Sequence, residues 1–151
     1  MTETAMQRDL RRFAQEHSHL KSGITDLRSW IDEVSELGIP HFGEMGDRMK
    51  PLYAELCEHF AHEEVRGFLA EAIALLPHLS DDADDLRIEH SRLLTALDAL
   101  ICRLQESPPP FESWQRACQD LNEILDALNT HEHKEMEILE QAASTDTIPQ
   151  N

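Results

Sequence analysis

The sequence has few cysteines, and they form no recognisable framework. Cys57, Cys102 and Cys118 are an odd number, and no two of them stand in a CxxC motif. A disulfide scaffold needs paired cysteines, and a thiolate zinc site needs closely spaced ones. We therefore expect reduced thiols with a structural role.

Basic residues and long apolar runs are also scarce. Lys and Arg number 13 against 30 Asp and Glu, which gives a net charge of −17. A field of that sign repels phosphate backbones and anionic lipid headgroups. No run approaches the roughly 18 apolar residues of a membrane-spanning helix, and residues 1–12 lack the apolar core of a signal peptide. We expect a soluble, cytoplasmic protein that binds neither nucleic acid nor membranes.

Aromatic residues are so few that histidine outnumbers them. Five Phe, two Trp and one Tyr stand against nine His. Histidine is the commonest protein ligand of metals and titrates near neutral pH. The histidines are therefore the main question that this composition raises.

Glycine and proline are few, and half of them fall at three places, residues 38–40, 77–80 and 107–110. Between these breaks the chain is rich in Ala, Leu, Glu, Gln and Arg and poor in β-branched residues, which favours helix over strand. We predict an all-α fold of four helices, named A to D in chain order. Because the connections are short, an antiparallel up-down-up-down bundle is the simplest topology.

The length predicts a single domain over residues 1–151, with its core from about residue 10 to residue 142. Residues 144–151 have no apolar pattern and are expected to form a frayed tail. Pro51 leaves two alternatives for helix B. Either the helix begins near His41 and Pro51 kinks it, or the regular helix begins at Pro51.

Apolar residues recur at alternating intervals of three and four in each segment, which is typical of the buried seam of a bundle helix. Polar residues interrupt every seam: His17 in A, His59 and Glu63 in B, His90 in C, and His131 and Glu135 in D. The pattern is also duplicated. Glu-His-Ser occurs at 16–18 and again at 89–91, and HxxxE follows in the next helix each time.

These six side chains have the chemistry of a metal site. His and Glu four residues apart lie on one helix face. A carboxylate in a bundle core costs several kcal/mol unless it is compensated, and no Lys or Arg occupies the nearby seams. Four His and two Glu exceed the needs of one tetrahedral zinc ion, so two carboxylate-bridged ions use the set better. Imidazole and carboxylate without thiolate indicate iron first, then manganese or zinc.

The spacing along the helices tests whether these groups reach one level. His17 and His59 are nearly equidistant from the A–B turn, and His90 and His131 differ little around the C–D turn. His59 and His90 differ by about eight residues around the B–C turn, which is about 12 Å of helix. We therefore predict that helix B ends early or that the connection between Leu69 and Asp84 turns back.

The ordered pattern H…HxxxE…H…HxxxE resembles the hemerythrin-like (HHE cation-binding) domains over residues 10–142. The resemblance implies an antiparallel four-helix bundle around a non-haem di-iron centre with carboxylate and oxo or hydroxo bridges. It further implies that one iron is ligated by His17 and His59, the other by His90 and His131, and that the bridging residues are Glu63 and Glu135. A small ligand such as O2, NO or peroxide would take a remaining coordination position.

The sequence departs from the oxygen-carrying hemerythrins in two ways. Those proteins have two histidines four apart on the third helix, whereas His90 has Leu86 and Leu94 at these positions. They also have HxxxxD on the fourth helix, where Met136 stands five residues after His131. The missing ligand argues against reversible oxygen carriage. Binding or sensing of O2, NO, iron or redox state is favoured over a di-iron oxidase or peroxidase, and a metal-free structural bundle is least favoured.

The remaining histidines lie outside the seams. We expect solvated groups or hydrogen-bond partners of a ligand at His19, His62 and His133, and surface residues in turns at His41 and His78. Four glutamates are assigned to solvated acidic faces: Glu58, Glu64, Glu132 and Glu137. Glu58 and Glu64 are kept as alternatives, either as a metal ligand or as a hydrogen-bond partner of a ligand histidine. A ferritin-like site would need ExxH on two helices, and the spacing occurs once, from Glu16 to His19.

Overall fold

The computed structural model describes residues 5–65 and 68–146 of the chain. Within these ranges the predicted all-α fold is confirmed, because the chain forms helices and no strand. The α-helices are α1 (Ala5–Glu36), α2 (Phe42–Val65), α3 (Phe68–Leu75), α4 (Ser80–Leu104) and α5 (Trp114–Asp146), with a 3-10 turn at Pro77–Leu79. None of these helices combines the length and the apolar character needed to cross a membrane.

Four long helices form a bundle in the ring order α1, α2, α4, α5. Neighbouring helices run in opposite directions, as their side-chain contacts show. His19 in the middle of α1 lies against Glu55 in α2, whereas Trp30 near the end of α1 meets His41 just before α2 begins. The same reversal holds around the rest of the ring.

The connection between α2 and α4 contains the short helix α3 and the 3-10 turn. The predicted early end of helix B falls on residues 66 and 67, which lie outside the described residues. Helix α3 packs against α5 and buries Leu69 and Ala72 completely. His90 lies level with the end of α2, where its Nε2 is 2.8 Å from Glu63 Oε2.

The ends of the other helices settle the open alternatives. Pro51 lies inside α2, so the longer of the two helices predicted for this segment is present. Gly38 has a φ of 71°, a left-handed conformation that glycine adopts without strain, and it ends the turn after α1. Helix α5 continues to Asp146, three residues into the segment predicted as a frayed tail. Residues 147–151 lie outside the described residues.

The apolar core is divided into two clusters by a polar layer. The larger cluster extends from the level of Leu20 and Leu128 toward the α1–α2 turn. The smaller one contains Phe13, Leu86 and Leu139 and is completed by α3. On α1, α4 and α5 the seam histidines and glutamates lie between these two clusters, and on α2 Glu63 follows Phe60 of the larger cluster. Apolar side chains therefore close the polar layer on both sides along the bundle axis.

Candidate metal centre

Six polar side chains are almost fully buried in the middle of the bundle, each with at most 3% of its surface exposed: His59, Glu63, His90, His131, Glu132 and Glu135. They come from α2, α4 and α5. Burying so many ionisable groups is costly unless they compensate one another or bind a cation.

Two carboxylates stand between the histidines. Glu63 Oε1 lies 2.7 Å from His59 Nε2, and its Oε2 lies 2.8 Å from His90 Nε2. Glu135 Oε1 lies 2.5 Å from His131 Nε2, and its Oε2 lies 3.7 Å from His90 Nε2. Each carboxylate thus directs its two oxygens at two different imidazoles, which is the arrangement of a bridging ligand.

The buried donors form two groups that share both carboxylates. One group contains Glu63, His90, His131 and Glu135, and the other contains His59, Glu63, Glu132 and Glu135. Within each group the ligating atoms lie within 4.8 Å of one another. Two cations held side by side, with Glu63 and Glu135 common to both, fit this arrangement.

Several buried atoms of the layer lack a hydrogen bond of acceptable geometry. They are both oxygens of Glu63 and of Glu135, His131 Nε2 and Glu132 Oε1. Their close approaches to one another lack hydrogen-bond geometry, and unsatisfied buried groups of this kind destabilise a fold. Bound metal ions would satisfy all of them, so the donor set fits a metal centre.

Comparison with known proteins agrees with this chemistry. The family model described as the hemerythrin HHE cation binding domain matches residues 8–143. The chain belongs to this family. Searches of curated proteins and of solved structures find no significant match. The predicted family membership is thus confirmed over nearly the whole chain.

Shifted pKa values inside the HHE domain show how the buried polar layer is stabilised without metal. Burial and the neighbouring Glu63 carboxyl raise the pKa of Glu135 to about 8. Burial lowers the pKa of His59, but the carboxyls of Glu132 and Glu63 outweigh it and raise that pKa to about 12. Against the same burial, Glu135 raises the pKa of His131 to about 9. Glu135, His59 and His131 therefore hold protons at neutral pH, and bound cations would replace protons in this layer.

Two further carboxylates support the histidines from outside. Glu16 Oε2 accepts a hydrogen bond of 2.8 Å from His59 Nδ1, and Glu89 Oε2 accepts one of 2.7 Å from His131 Nδ1. Such bonds fix the tautomer and leave Nε2 free to ligate. Each of these glutamates precedes the seam histidine in the duplicated Glu-His-Ser motif. The repeat in the sequence marks them, although the predicted ligand set did not include them.

The structure brings together five of the six predicted ligands, and His17 stands at the margin. Its side chain is 24% exposed, and its Nδ1 lies 3.2 Å from Glu132 Oε2. It belongs to neither buried group. His17 contacts the buried cluster through Glu132, and its ring stacks against the ring of Phe13.

The assignment of Glu132 to a solvated face is wrong. This side chain is 2% exposed, and its Oε2 lies 3.2 Å from both His17 Nδ1 and His59 Nε2. Its hydrogen bonds with these histidines outweigh burial and lower the pKa of Glu132 to about 2. The sequence contained a sign that Glu132 is buried, because apolar residues stand seven positions to either side of it. These residues, Leu125 and Leu139, are completely buried. The apolar face of α5 is wider than a strict three-and-four seam.

The other polar residues that the sequence singled out lie away from the layer. His19, His62 and His133 are 73%, 61% and 76% exposed. Glu58 and His78 are exposed as well, and the side chain of Glu64 lies outside the described residues. His41 is more enclosed than predicted, since its ring meets the edges of Trp30 and Trp114.

The positions where this HHE domain departs from the oxygen carriers are apolar in the structure too. Leu86, four residues before His90, is 2% exposed and belongs to the smaller apolar cluster. Leu94, four residues after His90, packs against the larger cluster. Helix α4 therefore presents a single imidazole to the centre.

Proposed function

We propose that this HHE domain holds a di-iron centre and uses it to bind or sense a small ligand, O2, NO or peroxide. The observation that carries the proposal is the sharing of Glu63 and Glu135 by two buried His and Glu groups. A single ion would need only one of these groups. Imidazole and carboxylate ligands without a thiolate suit iron best, with manganese and zinc as the alternatives to be tested.

The residues divide into two sets of terminal ligands and one bridging pair. His17, His59 and Glu132 would hold one iron and His90 with His131 the other, while Glu63 and Glu135 would bridge them. Bound iron supplies coordination positions for a small ligand and a change of valence. The protein keeps the imidazoles oriented and, through its two apolar clusters, closes the centre on both sides along the bundle axis.

The number of histidines favours binding or sensing over reversible oxygen carriage. Helix α4 offers His90 alone, and Leu86 and Leu94 stand where a second imidazole would have to be. The iron that His90 and His131 would hold therefore has one imidazole fewer than its counterpart in the oxygen carriers. An iron with fewer protein ligands is more open to NO and to peroxide as well as to O2.

A polar cavity favours a second candidate function, that of a di-iron oxidase or peroxidase. The cavity has a volume of about 310 Å³, reaches Glu63, and is lined on its outer side by Asp9, Arg12 and Glu71. A hydrophilic molecule of a few atoms, such as hydrogen peroxide, could reach the bridging carboxylate by this route. Turnover is the observation that separates the two candidates.

Metal analysis with absorption spectroscopy tests the proposal. Protein loaded aerobically with ferrous iron is expected to contain near two irons per chain and to show oxo-to-iron charge-transfer bands. Addition of NO to the reduced protein and of peroxide to the oxidised protein then shows which ligand binds and whether peroxide is consumed. A colourless protein whose thermal stability does not respond to iron would refute the di-iron proposal.

Glu63→Ala is the informative variant, and Glu58→Ala is its matched control on the same helix. Glu63 is 1% exposed within the centre, and Glu58 is solvent-exposed. We expect Glu63→Ala to lower iron content and the iron-dependent gain in stability together, because metal binding contributes to folding. Equal iron content in both variants would contradict the assignment of Glu63 as a bridge.

A further inference from the structure

The two halves of the duplicated centre differ at one equivalent position. The residue directly after the HxxxE histidine is Phe60 in α2 and Glu132 in α5. Both side chains are 2% exposed, and both reach across to the histidines of the opposite half. The duplication therefore places a phenyl ring in one half where the other half has a carboxylate.

Glu132 completes the half formed by α1 and α2. Its Oε2 lies 3.2 Å from His17 Nδ1 and 3.2 Å from His59 Nε2, and its Oε1 has no hydrogen bond. A carboxylate oxygen is a strong ligand for iron. We name this half, with His17, His59 and Glu132, the carboxylate position.

Phe60 occupies the corresponding place in the half formed by α4 and α5. Its ring stacks on His90 with centroids 4.1 Å apart and planes 9° apart, and it meets the His131 ring edge-on at 5.4 Å. A phenyl ring offers no donor to a metal and excludes water from its surface. We name this half, with His90, His131 and Phe60, the phenyl position.

We propose that the exogenous ligand binds at the phenyl position, and that Glu132 closes the carboxylate position to it. This inference rests on the proposed di-iron function. One half has a terminal carboxylate that the other lacks, so the coordination set of the phenyl position is the less complete of the two. The apolar ring beside it favours a small, weakly solvated ligand of two or three atoms and disfavours larger or strongly hydrated anions.

Azide tests this assignment, because it is a triatomic probe whose binding to ferric iron is seen as a new absorption band. The number of irons per chain, the number of azides per chain and the azide Kd are measured for each variant. The wild type is expected to bind near two irons and one azide. A wild type without two irons would refute the proposed function itself, and this result is separate from the azide pattern of the variants.

Phe60→Glu adds to the phenyl position the carboxylate that the other half already has. We expect it to retain two irons and to bind azide about tenfold more weakly or worse, since the carboxylate competes for the open position. Phe60→Leu is the matched control, because it remains apolar and adds no donor, and it should keep azide binding. If Phe60→Glu does not fold, Phe60→Gln adds a similar oxygen donor without a charge and makes the same test.

Glu132→Ala makes the opposite change. Removal of this carboxylate should leave the first azide in place and allow a second one to bind at the carboxylate position, raising the stoichiometry toward two per chain. Glu137→Ala, an exposed change on the same helix, should leave one azide. Loss of azide binding in Glu132→Ala with two irons retained, together with unchanged azide affinity in Phe60→Glu, would overturn the inference and leave the di-iron centre standing.

Discussion

Exchange of Glu135 for Gln should stabilise the metal-free protein at neutral pH, although it removes a metal ligand. The pKa of Glu135 is raised from 4.5 to about 8. The folded, metal-free protein therefore holds this side chain as a neutral acid at pH 7, whereas the unfolded chain ionises it. Stability due to this group is fully present below pH 4.5 and is lost as the pH rises to about 8.

The magnitude follows from the interval between pH 4.5 and pH 7. At 1.36 kcal/mol per pH unit, holding the proton at pH 7 costs about 3 kcal/mol of unfolding free energy. Glutamine has no such cost, but it weakens the contact of 2.5 Å with His131 Nε2. If that loss is about 1 kcal/mol, the variant gains about 2 kcal/mol at pH 7. Near pH 4.5 the cost of holding the proton falls below about 0.5 kcal/mol, so the variant should there be slightly less stable than the wild type.

Urea unfolding in the presence of a chelator, followed by circular dichroism from pH 4.5 to pH 8, measures this difference. Glu137→Gln is the control, because Glu137 is 62% exposed and only two residues away. With ferrous iron at 100 times its Kd, the wild type should gain about 3 kcal/mol and the Glu135→Gln variant much less, so that its advantage is lost. The reasoning is refuted if the metal-free variant is less stable at pH 7 by about 3–5 kcal/mol, the cost of breaking a structural buried ion pair.

Three further predictions concern the support, the core and the protons of the centre. Exchange of Glu16 or of Glu89 for Gln should weaken iron binding about 10- to 100-fold, measured by competition with a chromogenic chelator. The free energy of urea unfolding of the metal-free protein should change little. Unchanged iron affinity would show that these hydrogen bonds do not orient the histidines. Leu128→Ala empties a completely buried site beside the polar layer and should cost about 2–5 kcal/mol in urea unfolding, so a loss below 1 kcal/mol would contradict the packing. Iron affinity should rise between pH 6 and pH 8, because bound metal displaces protons from Glu135 and His131. The pKa values of these residues are raised to about 8 and about 9. A flat pH profile of iron affinity in the same competition assay would argue that neither residue ligates.

Much of the fold follows from local patterns. Breaks at Gly38, Pro77 and residues 107–110 separate the long helices, because such residues interrupt the hydrogen bonding of a helix. Counting residues between the seam histidines and the turns also predicted a detour between helices B and C. Helical rise is constant, so distances along an axis can be calculated from sequence numbers. How α3 packs against α5 was not predictable, since the sequence shows only that some detour is needed.

The residues of the candidate metal site were likewise predictable only in part. His59, Glu63, His131 and Glu135 are marked by their spacing, because residues four apart must share a helix face. Burial of Glu132 was missed, since a position at the edge of an apolar stripe is buried or exposed according to how closely the neighbouring helices approach. That approach is a property of the assembled bundle.

By itself, the sequence determined that four amphipathic segments carry a duplicated set of His and Glu on their apolar faces, because composition and helical periodicity act within one helix. Only the tertiary structure decided which of these donors meet. It joined Glu63 and Glu135 to both groups, moved His17 to the margin, and placed Glu132 and Phe60 at equivalent places in the two halves. Those relations depend on the distances between helices, and periodicity within one helix does not contain them.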